Sequence, residues 1–184
     1  MPVVVGLPNQ VAAAIADRVA SDAVVIGPGE PATGRFLDLK QEDWETTVAG
    51  ITKAFLTARD AARRLVERSE PGRIVFVSSA SALRPLPGAT LVATAGAFLH
   101  TLAQVAATEL APHGITVNVV APGFVGDERF REAIPAGRPP EPEDVAAACA
   151  FLTGPEAEYV TGAVLPVDGG FSITKSPGGS PLLG

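Results

Sequence analysis

The stretch Gly72-Arg73-Ile74-Val75-Phe76-Val77-Ser78-Ser79 decides the fold. Its apolar residues follow one another without polar alternation, which is typical of a strand buried on both faces of a parallel sheet. Four other short runs share this character and are rich in β-branched residues. Together the runs predict strands at Pro2–Val5, Ala23–Ile26, Arg73–Val77, Thr116–Val120 and Ala163–Val167.

The segments between these runs repeat their apolar residues every three or four positions or open with acidic residues, as helices do. They predict helices at Val11–Ala20, Glu42–Arg68, Ala89–Ala111 and Pro142–Leu152. Strands that alternate with helices imply β-α-β units with right-handed crossovers. We therefore expect a single three-layer α/β/α domain over residues 1–175, with a mainly parallel sheet. A flexible tail is expected at 176–184.

One segment interrupts the alternation of strands and helices. Residues 27–34 are rich in Gly and Pro and connect without a helix. Residues 35–39 after them fit either a short edge strand or a loop that leads into the next helix. The predicted sheet therefore has five or six strands.

The charge of the chain argues against nucleic-acid binding, which needs a concentrated cationic surface. The net charge is −6. No apolar stretch reaches the roughly 18–20 residues of a membrane span, and the N-terminus lacks a signal-peptide pattern, so we expect a cytoplasmic protein without membrane contact. The single cysteine, Cys149, lies among apolar residues and is expected to be buried and unreactive.

Four motifs, in order along the chain, resemble the short-chain dehydrogenase/reductase family. They are the strand Gly72–Ser79, the helix-to-strand turn Glu109–Asn118, the loop Ala121–Val125 and the closing segment Tyr159–Gly170. The resemblance implies a Rossmann-like fold that is shortened relative to the family. It also raises the expectation of an NAD(P)-dependent oxidoreductase that acts on alcohols or carbonyl compounds.

The family's catalytic pair is missing from the positions that the resemblance implies. In this family a tyrosine exchanges a proton with the substrate, a lysine one helical turn later lowers the pKa of the tyrosine, and a serine upstream polarises the substrate. These positions correspond to Val92, Gly96 and Ser79. A register shifted by one residue puts Leu91 and Ala95 at the first two positions. Ser79, with no base beside it by sequence, is then vestigial.

No other residue is expected to replace the pair. Tyr159 is the only tyrosine of the chain and falls in the closing segment, where the resemblance implies a structural role. His100 lies about two helical turns beyond Val92, which is expected to be too far from Ser79 for an acid–base role. We expect His100 to be a packed or interface residue instead. Loss of a positioned acid–base group typically lowers a rate by ~10²–10⁴.

The phosphate-binding loop of the family is also degraded. A dinucleotide fingerprint uses glycines so that the backbone approaches the pyrophosphate at a helix N-terminus. The resembling stretch keeps only Gly6, while Gln10 replaces the second glycine and Pro8 removes an amide donor. We expect no bound cofactor. Under the alternative hypothesis NAD(P) binds weakly through Gly6, Pro122 and Gly123.

Other elements of the family are expected to be lost as well. At least one helix and one strand are predicted to be missing between Gly27 and Trp44. Gly50 or Ile51 stands where the family carries a catalytic asparagine, and Asp127 replaces the threonine that binds the carboxamide of the cofactor.

The resemblance also implies an assembly. In this family two long helices pack against their symmetry mates, and the corresponding helices, 42–68 and 89–111, are present at nearly full length. The second carries many small side chains, which permit close helix contacts. We expect a homodimer or homotetramer through these helices, or assembly with an active relative. The alternative is a monomer with an Ala-rich core helix.

The sequence leaves three hypotheses of function. The first is a non-catalytic subunit of dehydrogenase-like fold that serves as a scaffold or assembly partner. The second is a divergent NAD(P)-dependent oxidoreductase. The third is a pocket near Ser79 that binds a small apolar ligand without chemistry. A substrate or ligand is not identified, because a fold alone does not supply a function.

Overall fold

The computed structural model describes residues 2–20 and 22–174. Five strands form one parallel sheet: β1 (Val3–Val5), β2 (Val24–Ile26), β3 (Gly72–Val77), β4 (Ile115–Pro122) and β5 (Val164–Val167). Four α-helices cover it: α1 (Asn9–Ala16), α2 (Gln41–Arg68), α3 (Thr90–Leu110) and α4 (Pro142–Thr153). The predicted Rossmann-like α/β/α fold is confirmed, with five strands in the described part of the chain. The predicted tail, 176–184, lies outside the described residues.

The central strands are covered on both faces, which explains their continuous apolar sequence. Ile74 and Phe76 of β3 pack with α2 and α3, whereas Val75 and Val77 pack with α1 and α4. Because successive side chains of a strand point to opposite faces, both sets must be apolar. All eight residues of β4 are likewise buried.

Asn118 is the polar residue that β4 buries completely at the centre of the sheet. Its side-chain nitrogen donates to the carbonyl oxygen of Val160 at 2.7 Å, and its side-chain oxygen accepts from the N–H of Ala163 at 3.0 Å. A buried amide is tolerated only when it is hydrogen-bonded in this way. Asn118 therefore fixes the point at which the chain enters β5.

The strands lie side by side in chain order, β1-β2-β3-β4-β5, so every connection moves one strand in the same direction. α1 and α4 cover one face of the sheet, and α2 and α3 cover the other. Crossovers that run in one direction over opposite faces have opposite hands. The crossovers through α1 and α4 therefore have the opposite hand to those through α2 and α3, and the prediction of right-handed crossovers is wrong for one of these two pairs of helices. Because the long helices α2 and α3 already fill one face, α1 and α4 bury their apolar sides on the other.

The sheet ends at β1, and no described strand lies beyond it. In doubly wound dinucleotide-binding sheets two further strands lie beyond the first, in the order 3-2-1-4-5-6. In this order the neighbour of strand 1 on the other side is strand 4, and β2 takes that place beside β1. Strands 2 and 3 would therefore be inserted between α1 and β2, where the chain has only residues 17–23. The prediction that they fall between Gly27 and Trp44 is wrong in position. That segment connects β2 to α2 through a short 3-10 turn at Phe36–Asp38, in agreement with the lead-in loop.

The segment Thr90–His113, which contains α3, is long and apolar enough to cross a membrane by length and composition alone. In the structure its residues Leu91, Leu99 and Ala103 are buried. This is the arrangement of a helix that covers a sheet. The expectation of a protein without membrane contact stays a prediction.

Gly50 lets α2 pack directly on the loop that follows β2. A Cβ atom at this position would overlap the backbone carbonyl of Pro28. Gly50→Ala is therefore expected to lower the free energy of unfolding by about 1–3 kcal/mol, although alanine favours a helix interior by about 1 kcal/mol. Urea denaturation followed by circular dichroism measures the change.

The opposite substitution one residue earlier is the matched control. Ala49 is exposed on the same helix, so Ala49→Gly is expected to cost about 1 kcal/mol through helix propensity alone. A Gly50→Ala variant more stable than the parent protein would contradict the close contact between α2 and the loop.

Candidate functional site

A cleft of about 290 Å³ opens at the carboxyl ends of the strands. Its walls come from the loops that follow β1, β2, β3 and β4, and the first half of α3 closes one side. This edge is where open α/β sheets bind their ligands. The cleft is therefore the candidate site.

Two serines stand at the end of β3, and both line the cleft. Ser79 begins a short 3-10 turn, and its hydroxyl oxygen accepts a hydrogen bond from the N–H of Ser81 at 3.1 Å. The Ser79 side chain thus caps the turn between β3 and α3. Its position at the cleft is the one that the resemblance implies.

Val92 and Gly96 face the same cleft from α3, one helical turn apart. Gly96 packs tightly against the turn after β3. A Cβ atom built on it would lie 2.8 Å from the Cβ of Ala82 and 3.5 Å from the backbone nitrogen of Ser79. The structure therefore brings Ser79, Val92 and Gly96 together, and the wall they form carries neither a phenol nor an ammonium group.

His100 lies one turn beyond Gly96 and is hydrogen-bonded to Ser78 rather than to Ser79. Its Nε2 atom is 2.8 Å from the Ser78 hydroxyl oxygen. Burial lowers the pKa of the imidazole below its ordinary value, so the ring is neutral at neutral pH. Sequence reasoning placed His100 away from Ser79 and overlooked Ser78. Side-chain alternation was the signal that could have found it, because Ser78 continues the β3 face that contacts α2 and α3.

The end of the cleft near α1 offers little to a phosphate group. Pro8 stands just before the helix, and Gln10 projects from its first turn. Within the described residues, no Lys, Arg or His lines the cleft, whereas Glu30 and Asp127 do. Anion sites at helix N-termini rely on free amides and on positive potential. Here one amide is missing, and the charged side chains that line the cleft are carboxylates.

Asp127 stands on the loop after β4 and pairs with Arg129. Two nitrogen atoms of the guanidinium donate to the carboxylate at 2.9 and 2.7 Å. These hydrogen bonds lower the pKa of Asp127 below its ordinary value. The carboxylate therefore remains ionised at neutral pH, and the Arg129 guanidinium is engaged with it.

Gly6 serves the packing of β1 rather than the cleft wall. It adopts φ = 66°, and a Cβ atom there would overlap the carbonyl of Gly27. The N–H of Gly29 donates to the carbonyl oxygen of Gly6 at 2.9 Å. Of the three weak cofactor-binding candidates, Pro122 and Gly123 line the cleft and Gly6 does not.

Tyr159 lies away from the cleft and is fully exposed. It borders a depression formed by Pro71, Arg73 and Gly114, near the amino ends of β3 and β4. Tyr159 therefore does not pack in the core, and its expected structural role stays a prediction. The same location excludes it as a substitute acid for the cleft.

Cys149 lies in α4 with no exposed surface. Burial raises the pKa of the thiol to about 12, so the reactive thiolate is absent at neutral pH.

Iodoacetamide at mildly alkaline pH is expected to leave the folded protein unmodified and to alkylate the urea-unfolded protein completely, as intact mass will show. Equal rates of alkylation in both states would contradict the packing of α4.

The comparisons with known proteins agree with this architecture. A sequence model of the enoyl-(acyl carrier protein) reductase family matches residues 9–172. The chain belongs to the short-chain dehydrogenase/reductase family. L-rhamnose 1-dehydrogenase (NAD(P)(+)) of Azotobacter vinelandii is 36% identical over 177 residues, an alignment that covers 89% of this chain and 69% of that protein. A 3-oxoacyl-[acyl-carrier-protein] reductase of Synechocystis is 34% identical and is covered over 64% of its length by 81% of this chain.

Solved structures of the family superpose on the same elements. Acetoin dehydrogenase from Enterobacter cloacae gives a TM-score of 0.76 at 34% identity, with 95% of this chain and 74% of that chain covered. The 3-ketoacyl-(acyl-carrier-protein) reductase of Brucella melitensis, solved in complex with NADH, gives 0.74 at 27% identity, with 82% and 67% covered. The chain spans about two thirds of the length of such relatives.

Proposed function

We propose that this short-chain dehydrogenase/reductase-family protein transfers no hydride and acts as an assembly subunit through the exposed faces of α2 and α3. One observation carries the first part. Val92 and Gly96 line the cleft, and the resemblance implies that the family carries a phenol and an ammonium group at these two positions. An isopropyl group and a bare backbone supply no proton to a carbonyl oxygen.

The cleft residues also fit a nicotinamide dinucleotide poorly. Glu30 and Asp127 give the lining two carboxylates and no cation. Among the described strands the order does not reverse at β1, so this part of the chain does not form the crevice at which such sheets bind dinucleotides. A pyrophosphate would meet the negative charge of Glu30 and the side chain of Gln10. Pro122 and Gly123 belong to the loop Ala121–Val125, which resembles the family's loop beside the nicotinamide.

The face of α2 and α3 supports the assembly role. An apolar groove of about 430 Å³ runs between these helices, and its wall includes the exposed side chains of Phe55 and Val105. Arg63 and Glu109 border it with opposite charges. An isologous dimer requires such a self-complementary patch. A second copy of this chain, or an active relative with the same helices, would cover it.

Isothermal titration calorimetry with NADH and NADPH tests the cofactor part of the proposal. No stoichiometric binding is expected, and no nicotinamide oxidation with a panel of aldehydes and ketones. Tight one-to-one binding with turnover would overturn the proposal in favour of a divergent oxidoreductase. Stoichiometric binding without turnover would contradict the poor fit of the cofactor to the cleft, while the absence of hydride transfer would stand.

Sedimentation equilibrium tests the assembly part. The parent protein is expected to be a dimer or tetramer, and Val105→Glu to shift it to the monomer by burying a charge in the interface. Ile173→Glu, at an exposed aliphatic residue outside the groove, is the matched control and is expected to leave the assembly unchanged. A monomeric parent protein would overturn self-assembly.

A further inference from the structure

The contact between Ser78 and His100 joins a cleft residue to a partly buried base. Ser78 follows β3 directly and lines the cleft. Its hydroxyl oxygen is 2.8 Å from Nε2 of His100. The other neighbour of that oxygen, the carbonyl oxygen of Val120, is 3.5 Å away and makes a much weaker contact. The imidazole is thus the principal partner of the hydroxyl.

Gly96 keeps Ser78 open toward the cleft. A Cβ atom on Gly96 would lie 3.6 Å from the Cβ of Ser78, so a longer side chain there would lie against the serine. With glycine at this position, the space in front of Ser78 belongs to the cleft. Gly96, which stands where the resemblance implies a lysine, therefore leaves the Ser78 hydroxyl open to the cleft.

The neutral imidazole can accept the hydroxyl proton. Burial of His100 lowers its pKa, and with its proton on Nδ1 the ring presents a lone pair on Nε2 to Ser78. A nucleophile and a base within hydrogen-bond reach are the signature of an activated serine. Ser79 has no such partner, because its oxygen caps the following turn.

A donor for a developing oxyanion lies next to the serine. The N–H of Ser79 is the backbone amide that follows Ser78, and it makes no hydrogen bond to any described residue. It lies beside Gly96, at the edge of the cleft. In hydrolases with a serine nucleophile, the amide of the next residue commonly stabilises the oxyanion.

We propose that Ser78 and His100 form a nucleophile–base pair that cleaves small, uncharged carboxylic esters in the cleft. The class of substrate follows from the lining. Leu7, Val92 and Val125 offer apolar walls, whereas the Glu30 carboxylate repels anionic groups. An apolar acyl group therefore fits, and a phosphate or carboxylate does not.

The reaction balances with water as the only co-reactant. The Ser78 oxygen attacks the ester carbonyl carbon while its proton passes to Nε2 of His100. The carbon–oxygen bond to the alcohol then breaks, and the alcohol leaves with that proton. Water, deprotonated in turn by His100, attacks the acyl-serine, and the carboxylic acid and the free serine hydroxyl are released.

An alkyl fluorophosphonate probe and p-nitrophenyl butyrate test the pair in the intact protein. The probe is expected to phosphonylate Ser78 with loss of fluoride and a proton, and peptide mass spectrometry will locate the adduct. Ester hydrolysis is expected to fall about 10²-fold or more in Ser78→Ala and in His100→Gln. Thr94→Ala, which removes an exposed hydroxyl of α3 outside the cleft, is the matched control and is expected to retain labelling at residue 78.

The outcomes separate this proposal from the preceding one, on which it does not rest. An unlabelled folded protein, labelling at another residue, or equal labelling of Ser78 in His100→Gln would each overturn the dyad. The result with wild-type protein suffices even where a variant fails to fold. Nicotinamide binding is measured separately, so its presence or absence does not alter what the labelling says about Ser78.

Discussion

Phe130→Ala is expected to lower the free energy of unfolding by about 3–5 kcal/mol, the usual cost of truncating a completely buried aromatic side chain. Phe130 has no exposed surface. Its ring stacks on Phe124 with centroids 3.6 Å apart and meets the edge of Phe171 at 6.0 Å. Truncation would leave a cavity in the apolar cluster that joins the loop after β4 to the segment after β5.

Phe36→Ala is the matched control, because it removes the same side chain from a position that is 73% exposed. Its effect is expected to stay within about 0.5 kcal/mol. Urea denaturation of both variants gives the comparison. Equal costs at the two positions would contradict the aromatic cluster as a source of stability.

The aromatic cluster also determines the shape of the cleft. Phe124 lines the cleft on the loop after β4, and Phe171 comes from the segment after β5. Arg84, on the turn after β3, donates to the carbonyl oxygen of Phe171 at 2.7 Å and lies over its ring at 4.8 Å. The cluster thus ties the walls of the cleft together. Phe130→Ala is expected to loosen the cleft as well as the fold.

The strands were predictable from sequence because burial on both faces leaves a local mark. A run such as Val24–Ile26 is apolar at every position. The observed β4 is longer than the predicted Thr116–Val120, because Ile115 pairs with β3 and Pro122 pairs with β5. α2 was likewise predictable, since its apolar stripe repeats over many turns. Local patterns of this kind report which face is covered, whatever the partner is.

The order of the strands and the candidate dyad could not be predicted in the same way. Both depend on contacts between residues far apart in the chain. β1 could neighbour several strands, and only the tertiary structure shows that β2 is its partner, which moves the missing elements to residues 17–23. Ser78 and His100 are 22 positions apart. Their contact depends on how closely α3 approaches β3, and Gly96 sets that approach.

The aromatic cluster had no local signal either. Phe124, Phe130 and Phe171 lie in loops and 3-10 turns, where apolar residues follow no helical or strand period. Asp168 holds the last of them in place, because its carboxylate accepts from the N–H groups of Gly170 and Ser172. Such positions become core only through tertiary packing.

Restoring the family's residues by Val92→Tyr with Gly96→Lys is expected to unfold the protein partly and to restore no hydride transfer. A Cβ atom at position 96 would lie 2.8 Å from that of Ala82, whose methyl group has no rotamer to move to. We expect Gly96→Lys to cost about 3 kcal/mol or more, beyond the gain of about 1 kcal/mol in helix propensity. Thermal unfolding and NADH oxidation with a carbonyl substrate measure both effects.

Ala97→Lys places the same side chain on the exposed face of α3, one residue further on, and is expected to change stability by less than about 0.5 kcal/mol. Ala82→Gly removes the atom that blocks position 96, so it is expected to recover much of the loss in Gly96→Lys, as a double-mutant cycle will show. If the variant with Val92→Tyr and Gly96→Lys were stable and oxidised NADH, the chain would lack only these two side chains for the family's chemistry. Failure in both measurements would mean that the turn after β3 has closed over the site of the lysine, so that reversion requires backbone movement as well as new side chains.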